Sequence, residues 1–228
     1  MENTDQSAEQ SLAAAMQSID TFYRERGIFQ QEFGFGKRPA IVVVDFANGW
    51  TDDTYAGGSR RLNGPVDQTR KLLETARPLQ IPIIYTTSPW RPGSGDQPFK
   101  SAAEAAEGFR PWDEHACRID ERLAPQPEDY IIEKENASAF SGTHLCGYLL
   151  EHAVDTVLMT GCSTSACIRA TATDAKSLRF RPVIIRECVG DRVAAAHVFT
   201  LFDIQSRFAD VRSIDDVTVW LSGLGTEN

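Results

Sequence analysis

The feature that most constrains this chain is the run Ala40–Asp45, AIVVVD. An unbroken apolar and largely β-branched stretch cannot alternate between core and water. It reads as a strand covered on both faces, the habit of parallel sheets. Strand-like segments recur at Ile81–Thr87, Tyr130–Glu133, Val154–Thr160 and Pro182–Arg186, with a short one near Val211. Helical spacing occupies Pro65–Arg77, His144–His152, Ser165–Leu178, Ala194–Arg207 and Ile214–Leu221. This alternation predicts an α/β fold, a mainly parallel sheet of about five to six strands with helices on both faces.

Ahead of the first strand, Leu12, Met16, Ile19, Phe22 and Tyr23 recur at helical spacing. Residues 1–30 are therefore expected to form a peripheral N-terminal helix, and 31–228 a single domain. The apolar stripe of that helix needs a partner, and a neighbouring subunit is the expected one. The segment 88–108 reads as a long loop with a short helix. Trp50, Trp90 and Trp112 lie in or beside the loops expected to shape a pocket, either as its walls or as ordinary core and interface packing.

The formal charge of 23 − 32 = −9 disfavours a nucleic-acid partner, which would need a basic face to neutralise phosphates. It leaves room for a small anionic substrate, because one buried arginine outweighs a distant acidic surface. The N-terminus is acidic and polar, and no stretch of about 18 apolar residues occurs, so neither a signal peptide nor a membrane span is expected. The five cysteines lack CxxC or CxxH spacing. A disulfide framework and a zinc site are disfavoured, and a cytoplasmic location is expected.

In parallel sheets ligands bind beyond the carboxyl ends of the strands, and three chemically useful groups fall there: Asp45, Lys134 and the segment Gly161–Cys167. Cys167 opens a helix, whose free N–H groups and partial positive charge favour a thiolate and can hold an oxyanion. Cys162, in the same loop, is a rival on composition alone. Asp45 can serve as general base and then general acid, and Lys134 can pair with it and stabilise a thiolate. The plainer readings are a packed cysteine, a loop-capping aspartate and a solvated lysine. None of His115, His144, His152 and His197 falls at a strand end beside Cys167, so a Cys–His pair is poorly supported, and no metal-ligand spacing is present.

Four blocks, VVVDFANGWTD, EKENASAFSGTHL, TGCSTSACIRATATDA and ECVGDR with LFDIQSRFADV, run in order over roughly 38–222. The chain resembles in them the isochorismatase-like cysteine hydrolases, most closely the N-carbamoylsarcosine amidases and maleamate amidohydrolases. The resemblance implies that fold and a triad of Asp45, Lys134 and Cys167, with Cys167 rather than Cys162 as nucleophile. It implies a cis peptide at Cys162–Ser163 and an oxyanion hole formed by the N–H groups of Ser163 and Cys167. It implies Arg192 as anchor of a substrate carboxylate. Thr164 and Trp90, from the same loops, are also expected to face the substrate. The family's usual glycine before the nucleophile is Ala166 here, and the histidine-containing metal motif of nicotinamidases is missing, so neither metal nor cofactor is expected. The implied activity is hydrolysis of a small carboxylate-bearing amide or ureido bond with release of ammonia, by a homo-oligomer, a tetramer by that likeness. Hydrolysis of a C–O bond, or an inactive binding protein of the same fold, are the alternatives.

Overall fold

A computed structural model describes residues 2–90 and 107–224, with backbone alone for 2–9. The short helix expected within 88–108 falls largely outside the described residues. The chain begins with α1 (Glu2–Arg26), followed by β1 (Pro39–Val44), a single turn α2 (Asn48–Thr51), α3 (Asn63–Ala76) and β2 (Ile83–Thr87). Then come β3 (Tyr130–Glu133), α4 (Leu145–Glu151), β4 (Thr156–Cys162), α5 (Arg169–Ser177), β5 (Arg181–Gly190), α6 (Ala194–Arg207), β6 (Asp210–Arg212) and α7 (Ile214–Leu224).

The six strands lie in the order β3-β2-β1-β4-β5-β6, and every pairing is parallel. The apolar run of β1 explains its central place. Ala40, Val42 and Val44 enter one core, against Leu149 of α4, Ala172 of α5 and Ile204 of α6. Ile41 and Val43 enter the other, against Val66 and Leu73 of α3 and Leu221 of α7. A strand that feeds two cores has no position left for water, so period-two alternation is absent from its sequence. The chain winds outward from β1 through β2 to β3, then returns to β4 on the other side. The strand order therefore reverses between β1 and β4, and a crevice opens there at the carboxyl ends.

Of the boundaries that differ from expectation, two bear on the site. The strand expected at Pro182–Arg186 continues to Gly190. Its neighbour β6 pairs only with Val183, Ile184 and Ile185. Beyond that point one side of β5 is open, so Arg186 can be exposed within a strand. The helix expected from Ser165 begins instead as a π-helical turn, Thr164–Ile168, and becomes α-helical at Arg169. As for α1, part of its stripe is partnered within the chain. Tyr23 stacks on Phe202 with centroids 6.5 Å apart, and Leu12 and Met16 line a cavity of about 590 Å3 with Ala194, Val198 and Phe202 of α6.

Gly161 fixes how closely β4 approaches β1. It pairs with Val44 in register, its φ is +119°, and a Cβ there would lie 1.9 Å from the Val44 carbonyl oxygen. Only glycine fits both the dihedral and the gap. Gly161→Ala should lower stability by at least about 1–3 kcal/mol for the dihedral alone, with the clash added. Thermal unfolding should show a clear fall in midpoint, and an unchanged midpoint would contradict this packing.

Candidate active site

At the point where the strand order reverses, Asp45 follows β1 directly, in the left-handed region at φ 55°. Its carboxylate is almost fully buried and forms an ion pair with Lys134, Nζ to Oδ2 2.7 Å. Lys134 follows β3, and its side chain is completely buried. Its Nζ also donates to the Asn136 carbonyl at 3.0 Å and to Cys167 Sγ at 3.6 Å. Cys167 is partly buried in the turn after β4, and its thiol also hydrogen-bonds the Asp45 carboxylate. Three separate strand ends thus deliver a carboxylate, an ammonium and a thiol to one point. Cys162 is directed elsewhere, its thiol donating to the Asp45 carbonyl at 3.3 Å inside the α3–α7 core.

Thr86 is a participant that the sequence reading missed. Its hydroxyl donates to Asp45 Oδ1 at 2.7 Å, and its carbonyl accepts the Asp45 N–H at 3.2 Å. No motif marks it, because it is one more threonine at the end of a strand.

The turn that carries the thiol is held by the segment after β5. The peptide bond Cys162–Ser163 is cis. The Asp191 carboxylate accepts Ser165 N–H at 2.8 Å and Ser165 O–H at 2.7 Å. The guanidinium of Arg192 stacks over Trp50 at 4.8 Å, donates from Nη1 to Ser163 Oγ at 2.5 Å, and donates from Nε to the Gly57 carbonyl. Its Nη2 is buried and has no hydrogen-bond partner among the described residues. Arg192 makes no side-chain salt bridge to Asp191, whose carboxylate takes instead the Arg192 backbone N–H at 2.8 Å.

Two expectations need correction here. Thr164 was expected to face the substrate, but its side chain is fully buried and its hydroxyl is hydrogen-bonded to His197 Nδ1 at 2.8 Å. His197 falls on a helix rather than at a strand end, yet from α6 it reaches the turn that carries Cys167. Trp90 is half-buried three residues beyond β2, whereas Trp50 is the tryptophan stacked on Arg192. Trp50 also packs on Trp112, with centroids 4.7 Å apart.

Residues 39–216 match the model of the isochorismatase domain. An N-carbamoylsarcosine amidase from an Arthrobacter species is 35% identical over 218 residues, 93% of this chain and 82% of that protein. The maleamate amidohydrolase of Pseudomonas putida is 36% identical over 200 residues, 84% of this chain and 90% of that protein. The chain belongs to the isochorismatase family. A solved isochorismatase-family protein from Desulfovibrio vulgaris superposes with a TM-score of 0.73 at 22% identity, over 82% of this chain and 100% of that one. Such a likeness concerns the fold, and the six-stranded parallel sheet agrees with it. Among the described residues of this isochorismatase-family hydrolase, no helix is long and apolar enough to cross a membrane.

The electrostatics of the site reverse one expectation. A helix start was expected to favour the thiolate of Cys167. Burial and the neighbouring Asp45 carboxylate instead push the thiol up to about 12, against the opposing pull of Lys134. Burial would push Lys134 down, but Asp45 and Cys167 beside it prevail and hold its ammonium above the ordinary lysine range. At neutral pH the site therefore holds a neutral thiol beside a charged lysine.

Two outcomes follow for this hydrolase. With the thiol near 12, alkylation of Cys167 by iodoacetamide should rise about tenfold per pH unit from neutral to pH 9. A plateau between about pH 6 and 8 would mean a resting thiolate. In Asp45→Asn the raising influence of the carboxylate is gone and Lys134 still favours the thiolate, so alkylation at neutral pH should become faster. The same change leaves a buried ammonium without its counter-ion and should cost about 3–5 kcal/mol in denaturant unfolding.

Proposed function

We propose that this protein is a cysteine amidohydrolase that cleaves a C–N bond in a small, carboxylate-bearing amide or ureido substrate and releases ammonia. The observation that carries the reading is the buried Lys134 ammonium lying between the Asp45 carboxylate and the Cys167 thiol. A neutral thiol needs a base at the moment of attack. Asp45 takes the proton as Sγ bonds to the substrate carbonyl carbon, while Lys134 keeps the charges of the site in balance. The developing oxyanion is held by the N–H groups of Ser163 and Cys167. That of Ser163 donates to no acceptor among the described residues, which supports this role. The C–N bond then breaks as Asp45 returns the proton to the leaving nitrogen. Water, deprotonated by Asp45, cleaves the resulting thioester-type intermediate and restores the thiol.

Arg192 supplies the preference for an acid. Stacking on Trp50 and two hydrogen bonds fix its plane, which leaves Nη2 as the open donor. A buried guanidinium N–H without a partner is costly, and a substrate carboxylate oxygen is the acceptor that best relieves it. The edge formed by Nε and Nη1 is thereby occupied, and the N–H groups of Nη2 are left to meet the acid. The names of the two relatives, one an amidase of N-carbamoylsarcosine and one an amidohydrolase of maleamate, agree with such a substrate. A homo-oligomer belongs to the same reading. Phe22, Val198 and Phe199 are exposed on the α1–α6 side and offer apolar surface for a second copy, which light scattering would test.

Ammonia release from maleamate and N-carbamoylsarcosine is the direct assay. Cys167→Ala should abolish it, whereas loss in Cys162→Ala with activity kept in Cys167→Ala would move the nucleophile. Pyruvate release from isochorismate in place of ammonia would favour the C–O alternative, and no turnover of any of them would favour a binding protein. Arg192→Ala should cost about 2–5 kcal/mol in kcat/KM on a carboxylated amide and much less on an uncharged amide of similar size. Equal losses would make Arg192 a support of the turn alone.

A further inference from the structure

Three consecutive residues of the nucleophile turn are each held by one side chain of the segment 191–197. Ser163 Oγ accepts from Arg192, Ser165 donates twice to Asp191, and the Thr164 hydroxyl is bonded to His197. The first two of these bonds come from residues next to β5. The third is made one helical turn into α6, by a ring that no strand end brings to the site. Thr164 is completely buried, so its hydroxyl has no recourse to water if His197 is lost. The bond ties down the residue that immediately follows Ser163. Thr164 is joined to Ser163 through a single peptide, so a shift of Thr164 displaces the Ser163 Cα and with it tilts the cis peptide Cys162–Ser163, the plane that carries the Ser163 N–H.

We propose that His197 is a positioning residue for the reaction, acting through the Thr164 hydroxyl to fix the direction of the Ser163 N–H at the oxyanion. The proposal rests on the reading of Cys167 as nucleophile and Ser163 as oxyanion donor. It assigns His197 no contact with substrate and no proton transfer. Burial, with Arg61 aiding and Asp191 opposing, holds the ring below the ordinary histidine range and so neutral at neutral pH. A neutral ring suits a fixed hydrogen bond within a packed turn. The action of His197 should fall on the chemical step, since the oxyanion exists only there, and should leave the Asp45–Lys134–Cys167 cluster alone.

The test compares His197→Ala, His197→Asn, Thr164→Val and the double variant His197→Ala/Thr164→Val by ammonia release from maleamate and N-carbamoylsarcosine. His197→Ala should lower kcat about 10- to 100-fold, the scale expected from loss of one buried hydrogen bond that orients a reacting group. KM should stay within about twofold, because ground-state binding is untouched. Asparagine can return a polar atom to the place of Nδ1 and should recover most of the loss. Thr164→Val should match His197→Ala, and the double variant should lose no more than either. Alkylation of Cys167 by iodoacetamide should proceed at the parent rate in all four. An unchanged kcat in His197→Ala, or additive losses in the double variant, would overturn the inference. So would a loss that asparagine does not restore and that comes with newly reactive Cys162 and Cys188, since that pattern means fold stability alone. Cys167→Ala, assayed beside them, separates the two levels: ammonia release that survives it overturns the nucleophile reading and this inference together. Loss of release in Cys167→Ala with normal kcat in His197→Ala rejects the inference alone.

Discussion

Everything at this site depends on a charge pair that water cannot reach. Asp45 and Lys134 meet at 2.7 Å with almost no exposure. Removing two such ions from water costs several kcal/mol each, and their mutual attraction offsets this only where the remaining donors and acceptors are also satisfied. The structure meets that condition from several sides. Thr86 occupies Oδ1 of the carboxylate, while Asn136 and Cys167 receive further protons of the ammonium. The pair also dictates geometry. β1 and β3 are separated by β2, so the lysine side chain must cross over the end of β2 to reach Asp45. Thr86, on β2, is the residue it finds there.

The other half of the site is held by hydrogen bonds more than by charge. Gly161 lets β4 end close against Val44, and the chain then turns through the cis peptide into a π-helical turn. The widened turn has a visible origin. Ile168 N–H reaches back five residues to the Ser163 carbonyl, and Asp191 takes the Ser165 N–H that a regular helix start would leave to water. Asp191 therefore acts as an N-cap supplied from another strand. It satisfies one orphan donor of the turn, and the Ser163 N–H meets no acceptor among the described residues.

Much of this was legible in the sequence, for reasons that differ by element. β1 and β4 are buried on both faces and so are written as continuous apolar runs. Asp45, Lys134 and Cys167 could be placed because each follows a strand-like segment, at the edge where the chain leaves the sheet. The length of β5 was not legible, because it depends on where β6 stops pairing. Thr164 was misjudged for a related reason: from its position in the loop it belongs to the pocket, and only the approach of α6 turns its hydroxyl toward His197. The thiol was misjudged because a helix start is a local feature, whereas the burial and the carboxylate that decide its proton come from β1 across the sheet.

That last difference bears on how such a site works. A cysteine held as a resting thiolate would react with any electrophile that reached it. Here burial and the Asp45 carboxylate hold the proton on sulfur, and in the proposed reaction its acceptor is that carboxylate, whose two oxygens already accept from Thr86 and Lys134. Proton transfer to Asp45 moves negative charge from carboxylate to sulfur, and both lie within reach of the same ammonium, so the net charge of the buried cluster does not change. A dry site tolerates that redistribution far better than it tolerates a new charge. Beside it Arg192 Nη2, a buried donor without a partner among the described residues, is held in place by Trp50 and by the turn that bears Cys167. Binding an anion at Nη2 would therefore load the turn itself, and in the proposed reaction capture of a substrate's acid and orientation of the sulfur would be two ends of a single rigid contact.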